Sequence, residues 1–359
     1  MDAKLRPVLR AGAAVLLGAA MAAGCAGGPE PGRPGAGGTG TATVATAQGA
    51  VQLEEQYERV IKAVLPSVVQ ITTDSGEGSG VVYDSAGHIV TNAHVIAGAR
   101  RIEVVPASGG RPLQASVVGA FVPDDLAVVK VRGGVLPPAR FGDSAKLEVG
   151  TIVLAMGSPL GLSGSVTNGI VSATGRSVTT GRQGAFPGAT IADAIQTSAA
   201  INPGNSGGAL VTLNGEVIGI PTAAANDPQG GGAAPGIGFA TPSNTVTRIV
   251  PQLIKDGRVT NSGRAALGVT VRTVADLRSG QPAGVGVVSV TEGGGAQRAG
   301  IRPGDVIVRV NGTDTPTQTA LSQVLAQLSP GDTVEVVIRP ADGAGERTVK
   351  VTLGELPGE

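Results

Sequence analysis

A serine hydroxyl attacks an amide near neutral pH only if an imidazole accepts its proton and a carboxylate holds that imidazole in the right tautomer. The chain has one setting suited to each part: Thr91-Asn92-Ala93-His94-Val95, Asp125-Leu126-Ala127-Val128 and Asn202-Pro203-Gly204-Asn205-Ser206-Gly207-Gly208. His94, Asp125 and Ser206 therefore stand in the order His, Asp, Ser, one of the orders in which acyl-transfer sites are strung along a chain. The glycines around Ser206 suit this chemistry, because main-chain N–H groups must converge on a developing oxyanion without interference from Cβ atoms. Gly204-Asn205-Ser206-Gly207-Gly208 also reads as G-x-S-x-G, the nucleophile elbow of esterases and lipases. That fold needs its histidine after the serine, and no histidine follows His94. A serine–lysine pair finds no S-x-x-K.

With two histidines and one cysteine, the chain cannot form an internal disulfide, and it lacks the ligands for a zinc site of the usual His/Cys kind. No metal and no organic cofactor is required by this chemistry. His88 lies in a strand-like segment and alternate-face geometry gives it no share in the cluster; it is expected to be exposed or hydrogen-bonded, not a metal ligand.

These side chains must be positioned by other elements. Four Phe, two Tyr and no Trp leave the cores to Val, Ile, Leu and Ala, and 58 glycines supply frequent turns. Short β-branched segments at 67–73, 80–83, 88–91, 101–105, 115–118, 126–131, 151–156, 165–171, 191–196, 209–211 and 216–220 are punctuated mostly by Gly, Asp, Asn or Pro. Such a series without intervening helices predicts a β-barrel or a sandwich pair, not a doubly wound sheet. An amphipathic helix over 51–65, stopped by Pro66, opens the domain. A second runs from a Ser243 cap to about Lys255, with Gly257 as its stop and Pro251 expected to kink or shorten it. The Gly-rich stretches 176–190 and 226–236 read as mobile loops. Beyond about residue 262 the pattern becomes a compact α+β unit: strands at 285–290, 306–310, 333–339 and 347–353, and a helix from about Thr317 with Leu321, Val324, Leu325 and Leu328 on one face.

At the N-terminus, Lys4, Arg6 and Arg10 precede an uncharged stretch over 11–23, which is signal-peptide anatomy for residues 1–25. Ala22-Ala23-Gly24-Cys25 resembles a bacterial lipoprotein processing site, so Cys25 is expected to be the lipidated first residue of an exported chain. Residues 26–50, rich in Gly, Pro and Thr, read as a flexible linker. Lys+Arg and Asp+Glu are equal at 27 each, and the zero net charge argues against a nucleic-acid partner held by bulk electrostatics.

Taken in order, the segments around His94, Asp125, Ile195-Gln196-Thr197, Ser206, 214–220 and 237–244 resemble the HtrA/Deg serine proteases. The resemblance implies an all-β, chymotrypsin-like double β-barrel over 51–260, with His94 as general base, Asp125 as orienting carboxylate and Ser206 as nucleophile. It also implies an oxyanion hole made by the N–H groups of Gly204 and Ser206. Asp125 is chosen over Asp124 because the family places its acid directly before Leu-Ala. Ile201, Ala224 and Ala225 are placed near the primary specificity pocket, which implies cleavage after modest aliphatic residues. Ser198 stands where many relatives carry Asp. Residues 265–355 similarly resemble a PDZ domain of the HtrA type, giving a second domain over 262–355. There Ala266-Leu267-Gly268-Val269 would receive a peptide's terminal carboxylate, and an extended peptide would add as a strand beside the helix of Leu321 and Val324. Trimers are the family's commonest assembly. The expectation is an exported, membrane-tethered serine endopeptidase of the cell envelope that acts on unfolded or damaged proteins and binds C-terminal peptides. Two alternatives are a chaperone or scaffold that binds peptide ends without cutting, and a protease of one signalling protein.

Overall fold

A computed structural model describes residues 48–158, 164–202, 204–226, 233–276 and 279–358, less the side chains at 223–226, 233 and 235. The chain divides into Met1–Thr46 and Ala47–Glu359, and the architecture below is that of the second unit. The expected signal segment, Cys25 and most of the linker lie outside the described residues.

Helix α1 (Gln48–Val64) begins three residues ahead of the expected start, within the segment read as linker, and ends in a 3-10 turn containing Pro66. Alanine and glutamine tolerate a helical start, and Val60 and Val64 anchor the far end in the core. Six strands follow: β1 (Val68–Thr73), β2 (Glu77–Val82), β3 (His88–Thr91), β4 (Ile102–Pro106), β5 (Leu113–Phe121) and β6 (Leu126–Val131), with the short helix α2 (Ala93–Ile96) after β3. They close antiparallel in the order β1-β2-β3-β6-β5-β4. The second barrel, in the order β10-β11-β12-β9-β8-β7, uses β7 (Ile152–Gly157), β8 (Ser165–Thr180), β9 (Ala189–Thr197), β10 (Ala209–Thr212), β11 (Val217–Asn226) and β12 (Ala233–Pro242). The double barrel is therefore the observed fold.

β3 is buried along its whole length, and so is β10. One face of such a strand fills a barrel and the other fills the seam between barrels. Ile89 and Val129 thus join the first barrel's interior, while Val90, Val128, Leu154, Met156, Val211 and Ile220 share the seam. This explains the short apolar runs in place of strict alternation. Helix α3 (Ser243–Asp256) closes the seam with Val246, Ile249, Val250 and Leu253, none of which is exposed. Burial of each contributes about 1.5–3 kcal/mol.

Several expectations differ from the structure. Ser243 is the first helical residue and donates to Gly142 O at 2.7 Å; the N–H of Asn244 is met by Ser144 Oγ at 3.1 Å, so the helix start is capped from another segment. The helix continues past Pro251 to Asp256 and stops at Gly257, φ +68°, as expected. The supposed loop 176–190 is about half ladder, since β8 extends to Thr180 and β9 begins at Ala189, which leaves 181–188 as the connection. The stretch 226–236 contains the start of β12, and its residues 227–232 lie outside the described residues. Gly, Ser and Thr have weak intrinsic strand signals, and cross-strand partners supplied by distant segments decide their state.

The α+β unit comprises β13 (Ala265–Ala266), β14 (Val269–Ala275), β15 (Pro282–Val290), α4 (Gly295–Arg298), β16 (Val306–Val310), β17 (Thr313–Asp314), α5 (Gln318–Leu325), β18 (Thr333–Arg339), β19 (Arg347–Thr352) and β20 (Gly354–Glu355). Its main sheet runs β14-β15-β16-β18-β19 and β13 pairs with β20. Thr317 caps α5 by accepting from Ala320 N at 3.1 Å. Among the described residues no helix is long and apolar enough to cross a membrane.

Candidate active site

His94 sits one residue inside α2, whose N-cap position is Asn92, just after β3. Asp125 closes a 3-10 turn (Val122–Asp124) in the left-handed conformation, φ +52°, which Asp adopts more readily than most residues. Ala93 N and Asn92 Nδ2 donate to Asp125 O at 3.2 and 2.8 Å and fasten turn to helix. The wholly buried Asp125 carboxylate accepts from His94 N at 3.0 Å, from His94 Nδ1 at 2.6 Å and from Thr222 Oγ1 at 2.5 Å. Three donors offset the desolvation of this carboxylate. Because a carboxylate only accepts, the ring hydrogen is on Nδ1 and the lone pair is at Nε2. Phe186, from the turn between β8 and β9, meets the His94 ring edge-on at 5.8 Å between centroids.

Ser206 arrives from the second barrel. Its neighbour Gly207 has φ +83°, and a Cβ there would overlap Ser79 O and Thr91 Oγ1 and stand 3.2 Å from Asn92 N. Only glycine allows the serine loop to lie that close to the start of α2. Ser79, fully buried in β2, fastens the same loop: Ser79 N donates to Ser206 O at 2.8 Å and Ser79 Oγ to Gly204 O at 2.5 Å. Both carbonyls thus turn toward the first barrel, and among the described residues the N–H groups of Gly204 and Ser206 have no hydrogen-bond acceptor. Pro203 lies outside the described residues, and the Ser206 hydroxyl makes no hydrogen bond among them.

Ser79 and Thr222 were missed by sequence reasoning. Ser79 had one signal, its place between Gly78 and Gly80, where added Cβ atoms would press on Val95 and Ile89. Thr222 had none, since its role arises only when β11 of one barrel reaches the acid of the other. Asp124 makes no hydrogen bond with His94 among the described residues and pairs instead with Arg264. His88 is buried and 2.7 Å from Asp84 Oδ2, a hydrogen-bonded histidine as expected. Burial raises the Asp84 carboxyl, but hydrogen bonds from the His88 ring, the His88 N–H and the Ala86 N–H outweigh it and hold the group below its ordinary value. Among the described residues no cluster of three His, Cys, Asp or Glu could hold a metal.

Ile201 is buried with Val171, Ile195 and Leu210, and it fills the space that a Cβ on Gly238 would need. Ala224 pairs with Gly238 across β11 and β12, while the side chains of Ala224 and Ala225 lie outside the described residues. Ser198 N donates to Ile170 O and Ser198 Oγ accepts from Ile170 N, at 3.1 and 3.0 Å, which ties the segment to β8. In the α+β unit, Ala266 ends β13, Gly268 has φ +77°, and Val269 opens β14. Leu267 O and Gly268 O accept from Ala296 N and Thr291 N, each at 2.9 Å. This loop is not part of the His94, Asp125 and Ser206 cluster.

A model of the trypsin-like peptidase domain matches residues 78–220, and a model of the PDZ domain matches residues 265–353. The Do-like serine protease HtrA of Lactococcus lactis is 41% identical over 279 residues, covering 73% of this chain and 67% of that protein. The chain belongs to the HtrA/Deg family of trypsin-like serine proteases. Serine protease PepD of Mycobacterium tuberculosis is 42% identical over 318 residues, 83% of this chain and 66% of that protein. A probable periplasmic serine endoprotease DegP-like of Chlamydia trachomatis is 37% identical over 291 residues, 80% of this chain and 55% of that protein. The chain thus spans about half to two thirds of these relatives' lengths. Among solved structures, the HtrA-type protease AlgW with a decapeptide superposes with a TM-score of 0.55 at 32% identity, over 83% of this chain and 98% of that one. A serine endoprotease from Yersinia pestis gives 0.54 at 34% identity, over 84% and 98%.

Proposed function

We propose that this HtrA/Deg chain is an exported serine endopeptidase that cleaves unfolded or damaged proteins of the cell envelope, with His94, Asp125 and Ser206 as its triad. The 2.6 Å contact from His94 Nδ1 to a buried Asp125 carries the reading, because it leaves Nε2 free to act as a base, while Gly207 brings the serine loop against Asn92 at the start of the same helix. His94 Nε2 takes the Ser206 proton as Oγ bonds to the substrate carbonyl carbon. The resulting oxyanion is met by the N–H groups of Gly204 and Ser206, and His94 then protonates the leaving amine. Water, activated by the same imidazole, hydrolyses the acyl-enzyme. Catalytic hydrogen bonds of this kind tighten when substrate completes the site, which suits an unpaired Ser206 hydroxyl.

Residues 51–260 form the catalytic domain of this proposal and 262–355 the peptide-binding domain. Ile201, Ala224 and Ala225 border a shallow specificity pocket for Val, Ala or Leu; the burial of Ile201 against Gly238 supports a small site. The inward carbonyls of Leu267 and Gly268 leave the loop Ala266-Leu267-Gly268-Val269 with N–H groups for a C-terminal carboxylate, as in other strand-addition sites. Relatives named periplasmic endoproteases support export, and lipidation at Cys25 would tether the chain to the outer face of the cytoplasmic membrane. A homotrimer is the assembly proposed from the family.

A fluorophosphonate probe tests the site directly: Ser206 Oγ displaces fluoride from phosphorus only if His94 activates it. Labelling of the peptide that contains Ser206, together with casein degradation, is the expected result. No labelling and no degradation beyond that of an S206A chain would leave a non-proteolytic peptide binder. Thr222→Val should lower kcat about thirtyfold, since a hydrogen bond to a charged group is worth about 2 kcal/mol. Thr222→Ser should stay close to wild type, and equal kcat values for the two variants would show that the 2.5 Å bond does not serve catalysis.

A further inference from the structure

Asp124 and Asp125 are adjacent in sequence but have different partners. Asp125 faces His94, whereas Asp124, also buried, contacts Arg264, 140 residues further on. Arg264 stands where the chain has left α3 and is about to enter β13. It is itself buried, and its Nη1 also donates to Pro123 O at 3.3 Å. Asp124 Oδ2 has no hydrogen-bond partner, so the guanidinium is the side-chain group that holds this carboxyl.

The residues behind Arg264 form a clasp. Arg264 N donates to Ser262 Oγ at 3.1 Å, and Arg264 O accepts from Leu356 N at 2.7 Å. Glu355 accepts from Gly263 N at 3.0 Å, and Gly358 N donates to Val259 O at 2.8 Å. The segment 354–358 therefore runs back along the junction and fixes the main chain that carries the guanidinium. On the other side Asp124 O accepts from Thr241 Oγ1 at 3.1 Å, and the next residue is Asp125 in its left-handed conformation. Such a conformation at a non-glycine residue persists only where its surroundings impose it.

We propose that Arg264, which lies outside both barrels, is a positioning residue for the Asp125 carboxylate, acting through Asp124. The junction to the PDZ domain and the tail clasped on it would thereby hold the acid of the active site in register. The proposal rests on the triad reading above. Burial pushes the Asp124 carboxyl above its ordinary value; the Arg264 guanidinium opposes this most, with smaller help from Arg248 and the Ala192 main chain. Once Arg264 is removed, the carboxyl takes up a proton or turns toward water. Either response shifts the peptide joining residues 124 and 125, and with it the 2.6 Å contact to His94. A displacement of about 1 Å is enough to cost about a hundredfold in rate.

The test is steady-state hydrolysis of a quenched fluorescent peptide by the full chain, with active sites counted by fluorophosphonate titration. Arg264→Met should lower kcat per titrated site about tenfold to a hundredfold, with KM within about twofold. Arg264→Lys should recover most of the loss. The double variant D124N/R264M should be more active than the product of the two single effects, because neither charge is then left buried alone. If R264M does not fold, D124N probes the same contact, with an expected loss of about tenfold in kcat. A lowered melting temperature with wild-type kcat per titrated site in R264M, or in D124N where R264M does not fold, would make the pair merely structural and overturn the proposal. A wild-type chain that neither labels nor cleaves would instead sink the triad reading, which keeps the two failures apart.

Discussion

Replacing Ser206 with alanine should lower turnover of casein by about 10⁶-fold, leaving only the residue of rate enhancement that substrate binding and the oxyanion donors supply. Nothing in the fold should change, because the Ser206 hydroxyl makes no hydrogen bond among the described residues and the loop is held by its main chain. Ser206 O accepts from Ser79 N at 2.8 Å, and Gly207 N donates to Pro221 O at 2.9 Å. The alanine chain should therefore melt within about a degree of wild type and still bind peptides at the PDZ domain. Kinetics on both proteins, with thermal melts alongside, check this. Equal turnover would remove Ser206 from the chemistry, and equal, negligible turnover would return the chain to the class of binding modules.

Asp125→Asn should cost about 10⁴-fold in kcat for a different reason. The amide is nearly isosteric, so the loop can keep its hydrogen bonds from Ala93 N and Asn92 Nδ2 to the main-chain oxygen. What changes is polarity at the imidazole. An Asn NH₂ facing His94 donates where the carboxylate accepted, which pushes the ring hydrogen to Nε2 and leaves no lone pair for the Ser206 proton. An Asn carbonyl facing the ring would preserve the tautomer but lose the charge that steadies the imidazolium. Thr222 Oγ1, which donates to the same Oδ2 at 2.5 Å, favours the orientation in which that atom remains oxygen. The size of the kcat loss thus reports how far Thr222 holds the amide in place, and adding T222V to D125N should deepen it. A D125N chain within about tenfold of wild type would mean that the imidazole is oriented by its α2 main chain and Phe186 alone.

The two predictions draw on different kinds of information. His94, Asp125 and Ser206 could be picked out of the sequence because each sits in a rigid local setting whose residue types are constrained by chemistry. A glycine at 207, a helix N-cap at 92 and an acid able to adopt positive φ at 125 all leave local marks. The first barrel was legible for a similar reason: β3 and β6 were expected at their observed bounds from short runs rich in β-branched residues. The helix α5 was readable from its Thr317 cap and its apolar stripe.

Other features had no local mark. The length of β8 and the presence of β12 depend on partners far along the chain, because a Gly- and Thr-rich segment becomes a strand only when another strand supplies its hydrogen bonds. Ser243 carried the residue type of a cap, yet it became the first helical residue, and packing of α3 on the segment at 142–144 made its hydroxyl a donor to Gly142 O. Ser79, Thr222 and Arg264 are ordinary residues in sequence, and each matters through a partner more than 90 residues away. Composition and local chemistry were thus enough to single out the proposed reacting groups, since a nucleophile, a base and an acid are properties of single side chains and their immediate neighbours. The orientation of those groups is a property of two closed barrels and the junction behind them, because hydrogen bonds between distant segments exist only once burial has brought the segments together.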